Sequence, residues 1–530
     1  MTREVAGGGG RCAMHARREG SVGDWAWDEV GAAALGDCRR TRRLARLLRA
    51  VADCPAASLP QACGDWAALK GGYRWLASGQ VSAAAVRAAQ QARTVARLRD
   101  GTDGTDGTDG TDALRGTAPV LALQDTTELD WSTHAATQGL GTLAAPQRRG
   151  LLVHTVFAVS AQGVPQGVLY QHVWARPPHA RGKAHTRHQR PTAEKESQRW
   201  LEALSATQAA LRTELDGPET TPASTGAASV VPPVIVVGDR EADIFALFAL
   251  PRAPGVHLLV RSGQNRRLRR DAPAADAPAA DAPRYVWEAV AAAPVGAVRT
   301  VSVGRRPGQP PREAQVQLHW TPVQVAPPAR AARPARGASS LAPAVALWAV
   351  LVEEPAPPPQ ATGLHWVLLT TWPVTTAAAA TEVARWYALR WLIERYHYVL
   401  KSGCGVEHLQ LAQADALERA LAVYSVVAWR LLWLTYQARQ APAASPGVLS
   451  DALTTEEWQT AYLVTHPGAP LPTAPPPLHD VVRWIAQLGG FLGRRGDGDP
   501  GVTTLWRGWR RLQDLLAGRR LGGAPAPPPP

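Results

Sequence analysis

Cysteine is scarce in this chain and poorly spaced for a structural role. The five thiols, Cys12, Cys38, Cys54, Cys63 and Cys404, form an odd set with no C-x-x-C pair, which excludes a disulfide framework and a zinc knuckle. No apolar run approaches the roughly 20 residues of a membrane-spanning helix. The Arg-bearing N-terminus lacks an apolar signal core, so membrane and secreted classes fall away and a cytoplasmic protein is expected. A P-loop is missing too, which gives no reason to expect a nucleotide cofactor. Lysine occurs only at Lys70, Lys183, Lys195 and Lys401, leaving arginine to supply almost all of the 57 basic residues.

Those basic residues outnumber 44 acidic ones, for a formal net charge of +13. A balance of this sign favours a polyanionic partner. The arginine excess, with abundant Ala, 47 Gly and 45 Pro, fits codon drift in a GC-rich genome equally well. Placement of the charge has to decide. At 530 residues the chain is too long for one compact core, and two to four domains are expected.

The first 20 residues are Gly- and Arg-rich and read as a disordered tail. From 21 to 100 the pattern is helical: Leu44, Leu47, Leu48 and Val51 recur at three- and four-residue steps, with Arg39, Arg40, Arg42, Arg43 and Arg46 between them. The segments DWAALKGGYRWLAS and SAAAVRAAQQARTVARL continue it. A Gly-Thr-Asp repeat over 101–113 reads as a flexible linker. Beyond it the period changes, and 114–440 reads as an α/β domain. Within that domain APVLALQD is a strand ending in Asp125, and VPPVIVVGDREADIFALFAL is a buried strand running into a helix with Asp239 at the junction. A β-rich insertion occupies about 270–365 and carries an Asp-Ala-Pro-Ala-Ala loop. Residues 441–518 read as helices around a Gly-rich loop, and 519–530 as a Pro-rich tail.

Asp125 and Asp239 stand at strand carboxyl ends, where chemistry gathers in α/β sheets. Each alone is more simply a turn or helix-capping aspartate. A third acid has a more specific setting, in RWYALRWLIERYHYVLKSG. With Tyr387 at zero on one continuous helix, Arg390 falls at about 300°, Glu394 at about 340°, His397 at about 280° and Lys401 at about 320°. Leu389, Leu392, Ile393, Tyr396 and Leu400 take the opposite side, and Gly403 ends the helix. Three carboxylates drawn together would hold Mg²⁺ through hard oxygen ligands, and neighbouring cations would hold phosphates. His179, His185 and His188 lie in a basic run. Zinc there is conceivable, but a phosphate-facing or mobile loop is the better reading.

This constellation resembles the DDE transposases of bacterial insertion sequences, in the cut-and-paste branch marked by Tyr-(2)-Arg-(3)-Glu-(6)-Lys. Tyr387, Arg390, Glu394 and Lys401 fit that spacing. Further similar segments are DTT after the first strand, EKES, DREADIF, HWVLLTTWPV, AALGDCRRTRRLARL, ALKGGYRWL and the closing RWIAQLGGFLGRRGDGDPGVTTLWRG. The likeness implies an RNase H-like catalytic core with a β-rich insertion, a helical N-terminal DNA-binding domain and a helical C-terminal dimerisation domain. It implies Asp125, Asp239 and Glu394 as the catalytic, metal-binding triad for two Mg²⁺ ions, with Mn²⁺ able to substitute. Tyr387, Arg390 and Lys401 would grip backbone phosphate near a flipped base, Trp366 would stack on that base, and Arg261 would be a further phosphate contact. Arg39, Arg40, Lys70, Tyr73 and Arg74 would belong to end recognition. Partners would be double-stranded DNA, as terminal inverted repeats and target, and a second copy in a synaptic homodimer, in a bacterial cytoplasm and at the nucleoid when DNA-bound. Rival readings are a metal-dependent nuclease without strand transfer and a silent DNA-binding descendant of a transposase. A glycosidase would use paired acids but gives the basic groups no role.

Overall fold

The computed structural model describes residues 24–100, 118–145, 147–177, 195–213, 232–269, 283–304, 309–328, 343–359, 361–440, 449 and 452–522. The expected N-terminal tail, the Gly-Thr-Asp linker, the Asp-Ala-Pro-Ala-Ala loop, the three-histidine run and the closing prolines lie outside them. The chain divides into two compact units that interleave along the sequence. One comprises Met1–Asp103, Thr126–Gly182 and Glu394–Pro530, the other Gly104–Asp125 and Lys183–Ile393. The partition falls inside strand β1 (Val120–Asp130) and inside helix α10 (Trp391–Tyr398).

The first unit opens with α1 (Trp25–Val30), α2 (Cys38–Asp53), α3 (Leu59–Cys63), α4 (Trp66–Ala77) and α5 (Ala83–Asp100). Helix α2 forms as its spacing predicts. Asp37 caps it by accepting from the Arg39 amide at 2.8 Å, Leu44, Leu47, Leu48 and Val51 are buried, and Arg39, Arg46 and Arg49 stay exposed. The second half of β1 belongs here with β2 (Gly141–Thr142), β3 (Arg149–Ser160) and β4 (Pro165–Trp174), β3 pairing antiparallel with β2 and β4. Helix α11 (Ala414–Gln440) packs against β4, α2 and α5 and is buried around most of its circumference, which explains why its apolar residues lack a single stripe. Its polar groups are met internally: the Ser425 hydroxyl donates to the Leu421 carbonyl at 2.7 Å, and the Trp429 indole to that of Pro165 at 3.2 Å.

A separate apolar cluster joins the end of α11 to α12 (Thr455–Thr465), α13 (Leu478–Leu488) and α14 (Val502–Gly522) through Leu434, Trp458, Val481, Ile485, Leu505 and Trp509. Helix α14 extends past the expected start of the Pro-rich tail. Its approach to α13 requires glycine at two places. A Cβ at Gly508 would lie 1.7 Å from the Ile485 carbonyl oxygen, and one at Gly489 would lie 1.9 Å from that of Thr504.

In the second unit, the first half of β1 pairs in parallel with β5 (Val234–Gly238), from Val120↔Val234 to Leu123↔Val237. Strand β5 pairs in parallel with β6 (Val256–Arg261). From β6 the order continues antiparallel through β10 (His365–Thr370), β9 (Val345–Glu353), β8 (Arg312–Val325) and β7 (Ala297–Val303). The strands of the β-rich insertion therefore extend the sheet that carries β5. Strand β5, Val-Ile-Val-Val-Gly, is buried at every position, the signature of a central parallel strand. Helices α6 (Gln198–Thr213), α7 (Phe245–Ala249) and α8 (Val286–Ala291) complete the unit with α9 (Ala377–Ala388).

Two local expectations change. Strand β1 does not end at Asp125 but continues to Asp130, and β5 reaches α7 through a 3₁₀ turn, Arg240–Ala242. The helix expected to run unbroken from Tyr387 to Lys401 is interrupted. Helix α9 stops at Ala388, α10 starts at Trp391, and a π turn covers Val399–Gly403, closed by a bond from the Cys404 amide to the Val399 carbonyl at 2.7 Å. A uniform 100° step fails across such breaks. Tyr387 and His397, placed on the polar stripe by that step, are both buried.

A buried charge cluster ties α2 to α11 and α12. Asp53, Arg430, Glu457, Trp25 and Trp509 line one small cavity. Arg430 stacks over Trp25 at 4.1 Å and donates to the Ala452 carbonyl at 2.7 Å, and burial lowers its pKa to about 10. Burial, and then the Glu457 charge, push the Asp53 carboxyl up to about 6 against the opposing charges of Arg49, Arg520 and Arg430. The folded chain holds this proton more tightly than the unfolded chain. The associated stability is therefore present below the ordinary carboxylate value and is lost as pH rises through about 6. Asp53→Asn should remove that slope. Urea denaturation should find the variant more stable than the parent at about pH 8, by something like 2 kcal/mol, and nearly equal at about pH 4.

Candidate active site

The parallel register of β1 and β5 does the first work. Leu123 and Val237 are its last paired residues, and Asp125 and Asp239 each lie two positions further on. Two steps along a strand return the side chain to the same face; Asp125 lies within β1, and Asp239, still extended, is the first residue past the end of β5. Both are half-buried. Asp239 also caps the 3₁₀ turn, accepting from the Glu241 amide at 2.8 Å.

Cationic and aromatic groups gather beside Asp239 in the same unit. Tyr387, near the end of α9, is buried, and burial raises its phenol pKa. The charges of Arg390 and Arg261 and a hydrogen bond with Arg261 oppose that rise, while the Asp239 charge adds to it. The Arg261 guanidinium, at the end of β6, is lowered first by burial and then, against the pull of Tyr387, by the cations Arg240 and Arg390. It donates to the His365 carbonyl at 3.1 Å. Trp366 on β10 meets the Tyr387 ring edge-on, with centroids 5.3 Å apart. Of the residues singled out from the sequence, Arg261, Trp366 and Arg390 thus gather around Tyr387, which also feels the Asp239 charge. Arg240 joins them without having been anticipated as a contact. Its signal was its place immediately after a strand-end aspartate.

The other acids of that segment are engaged within the fold. Glu241 pairs with Arg199 at 2.8 Å. Asp243 is fully buried and pairs with Arg266 at 2.6 Å. It also accepts from the Gly263 and Gln264 amides at 2.8 and 2.9 Å, which anchors the turn after Arg261. Glu394 and Lys401 fall in the first unit, Glu394 exposed on α10 and Lys401 in the π turn. Burial, reinforced by the Lys401 charge, lowers the His397 pKa to about 3, leaving a neutral imidazole. The N-terminal set lies on two helices: Arg39 and Arg40 on α2, and Lys70, Tyr73 and Arg74 on α4. Arg40 donates to the Leu35 carbonyl at 2.9 Å. Among the described residues, no group of three His, Cys, Asp or Glu side chains is arranged to hold a metal ion. Paired aspartates supply the hard oxygen donors that suit Mg²⁺.

Three family models match the chain. Residues 22–81 match Transposase DNA-binding, 218–429 match Transposase DDE domain, and 426–524 match Transposase Tn5 dimerisation domain. Asp239, Arg261, Trp366, Tyr387, Arg390, Glu394 and Lys401 fall inside the second segment and the α2 and α4 residues inside the first. Asp125 falls outside all three, and its case rests on its register with Asp239.

The Asp243 anchor makes a stability prediction. Asp243→Ala would strip a buried guanidinium and two amides of their acceptor, and losing one partner of a buried pair costs about 3–5 kcal/mol. Denaturant titration should register a loss of that size. Glu241→Ala, at a surface pair, should cost less than about 1 kcal/mol.

Proposed function

Because the chain belongs to the DDE transposases and is a DNA transposase, we propose that it moves an insertion sequence by cut and paste, with Asp125, Asp239 and Glu394 as its catalytic acids. DDE transposase domains depend on a divalent metal, and the three acids would hold two Mg²⁺ ions, which Mn²⁺ can replace. When bound there, the ions activate the attacking oxygen and stabilise the leaving one. The observation that supports this reading is that Asp125 and Asp239 each follow by two residues the last paired positions of the parallel strands β1 and β5, Leu123 and Val237.

The residues divide the work as follows. Arg261, Arg390 and Lys401 hold backbone phosphates, with the Tyr387 hydroxyl directed by its bond to Arg261. Trp366, packed edge-on against Tyr387, offers its face to a base flipped from the stack, which offsets part of the unstacking cost of a few kcal/mol. Tyr387, Arg390, Glu394 and Lys401 form the Tyr-(2)-Arg-(3)-Glu-(6)-Lys signature. Arg39, Arg40, Lys70, Tyr73 and Arg74 bind the terminal inverted repeats, and the C-terminal helices pair two copies so that both ends are held at once. Hydrolysis frees a 3′-hydroxyl at the element end. That hydroxyl attacks the opposite strand to close a hairpin, which is reopened before joining to target DNA. Among the described residues no helix is long and apolar enough to cross a membrane.

Incubation with Mg²⁺ and a duplex carrying the inverted repeats that flank the gene tests the reading. Hairpins and joined products are expected, and chelation of the metal should abolish them. Asp125→Ala, Asp239→Ala and Glu394→Ala should each lower cleavage by about a thousandfold or more while leaving duplex binding intact. Nicks without joined products would favour a nuclease. Activity unchanged in all three variants would sink the assignment of the acids.

A further inference from the structure

Helix α4 carries an exposed aromatic residue that the reading above does not use. Trp66, its first residue, is 73% exposed, the largest exposure of any tryptophan described. Asp65 caps the helix by accepting from the Ala68 amide at 2.8 Å, so the position is ordered. With Trp66 at zero, Lys70 falls at about 40°, Arg74 at about 80° and Tyr73 at about 340°. All four are exposed. The opposite arc holds Gly72, Trp75 and Leu76, all buried. The Trp75 indole donates to the Arg40 carbonyl of α2 at 3.0 Å, which fixes how α4 is turned. Helix α4 contains no acidic side chain.

The cationic surface continues onto α2. Arg39, Arg43 and Arg46 follow one another at helical spacing, and Arg43 lies across α4 at Gly71, where a Cβ would come within 2.1 Å of its guanidinium. Glycine at 71 lets this arginine bridge the two helices. A rigid helix face with an indole and a phenol set among cations matches duplex DNA, which offers phosphates to the cations and thymine methyls and sugars to the rings.

We propose that Trp66 is a DNA-contact residue that supplies an apolar, salt-independent part of binding, alongside the charge-dependent part from Lys70 and Arg74. This rests on the reading of residues 22–81 as a DNA-binding domain. The two parts separate by their salt dependence, since only phosphate contacts release counterions.

The test uses the full chain and a labelled mixed-sequence DNA duplex, with affinity measured over a range of salt concentrations. Trp66→Ala should weaken binding by about tenfold at every salt concentration without changing the slope of log affinity against log salt. Trp66→Phe should restore most of the loss, as a merely structural fault at this exposed position would not require. Lys70→Ala and Arg74→Ala should each lower the slope by about one. Wild-type affinity in Trp66→Ala, or an altered slope, would overturn the proposal while leaving the domain's DNA binding in place. Failure of the wild-type chain to bind the duplex would overturn both.

Discussion

Asp125 lies two residues past the last paired residue of β1 and Asp239 two past that of β5, and like charges brought near each other repel, which is the constraint the proposed site has to meet. Positive charge is close by: Arg261 feels Arg240 and Arg390, and Tyr387 feels Arg390, Arg261 and Asp239, while a divalent cation would offset the acids directly. Burial first, and then the Arg240 and Arg390 charges, lower the Arg261 pKa against the pull of Tyr387, so this group stands to gain from an anion. A phosphodiester with its metal satisfies both sets of groups at once. The Asp243–Arg266 pair nearby, by contrast, closes on itself.

How much of this was legible beforehand depends on the range of the forces involved. Strand β5 and Asp239 were readable because a fully buried strand is a run of branched apolar residues, and an aspartate after glycine is a natural turn opener. Helix α2 was readable because its core face repeats at helical spacing. The strand that carries Asp125 is legible, but its end at Asp130 is not. The polar residues Thr126, Thr127 and Glu128 resemble a strand exit, yet Thr126 finds a partner in buried His154 at 2.8 Å and Leu129 is fully buried. Those partners are remote in sequence. The polar stripe around Tyr387 failed for a different reason. Its angles assumed one uninterrupted helix, and the breaks at Leu389–Arg390 and at the π turn are set by tertiary packing of Leu392, Ile393, Tyr396 and Leu400, all fully buried.

Placement also settles what composition left balanced. Part of the arginine excess is structural. Arg97 pairs with Glu29 and lies over Trp429 at 4.0 Å, Arg266 pairs with Asp243, Arg312 with Glu354, and Arg430 is enclosed among aromatic rings and carboxylates. A planar guanidinium can stack and fork in ways an ammonium cannot, so these positions favour arginine whatever the codon bias. The remainder is not spread evenly. Arg39 and Arg46 on α2, with Lys70 and Arg74 on α4, lie on exposed helix faces, and Arg240 and Arg390 lie close enough to Arg261 for their charges to act on it. A polyanion therefore meets local fields far stronger than a net charge of +13 averaged over the surface would give. Local fields of that kind, more than the total, set where and in what orientation DNA settles.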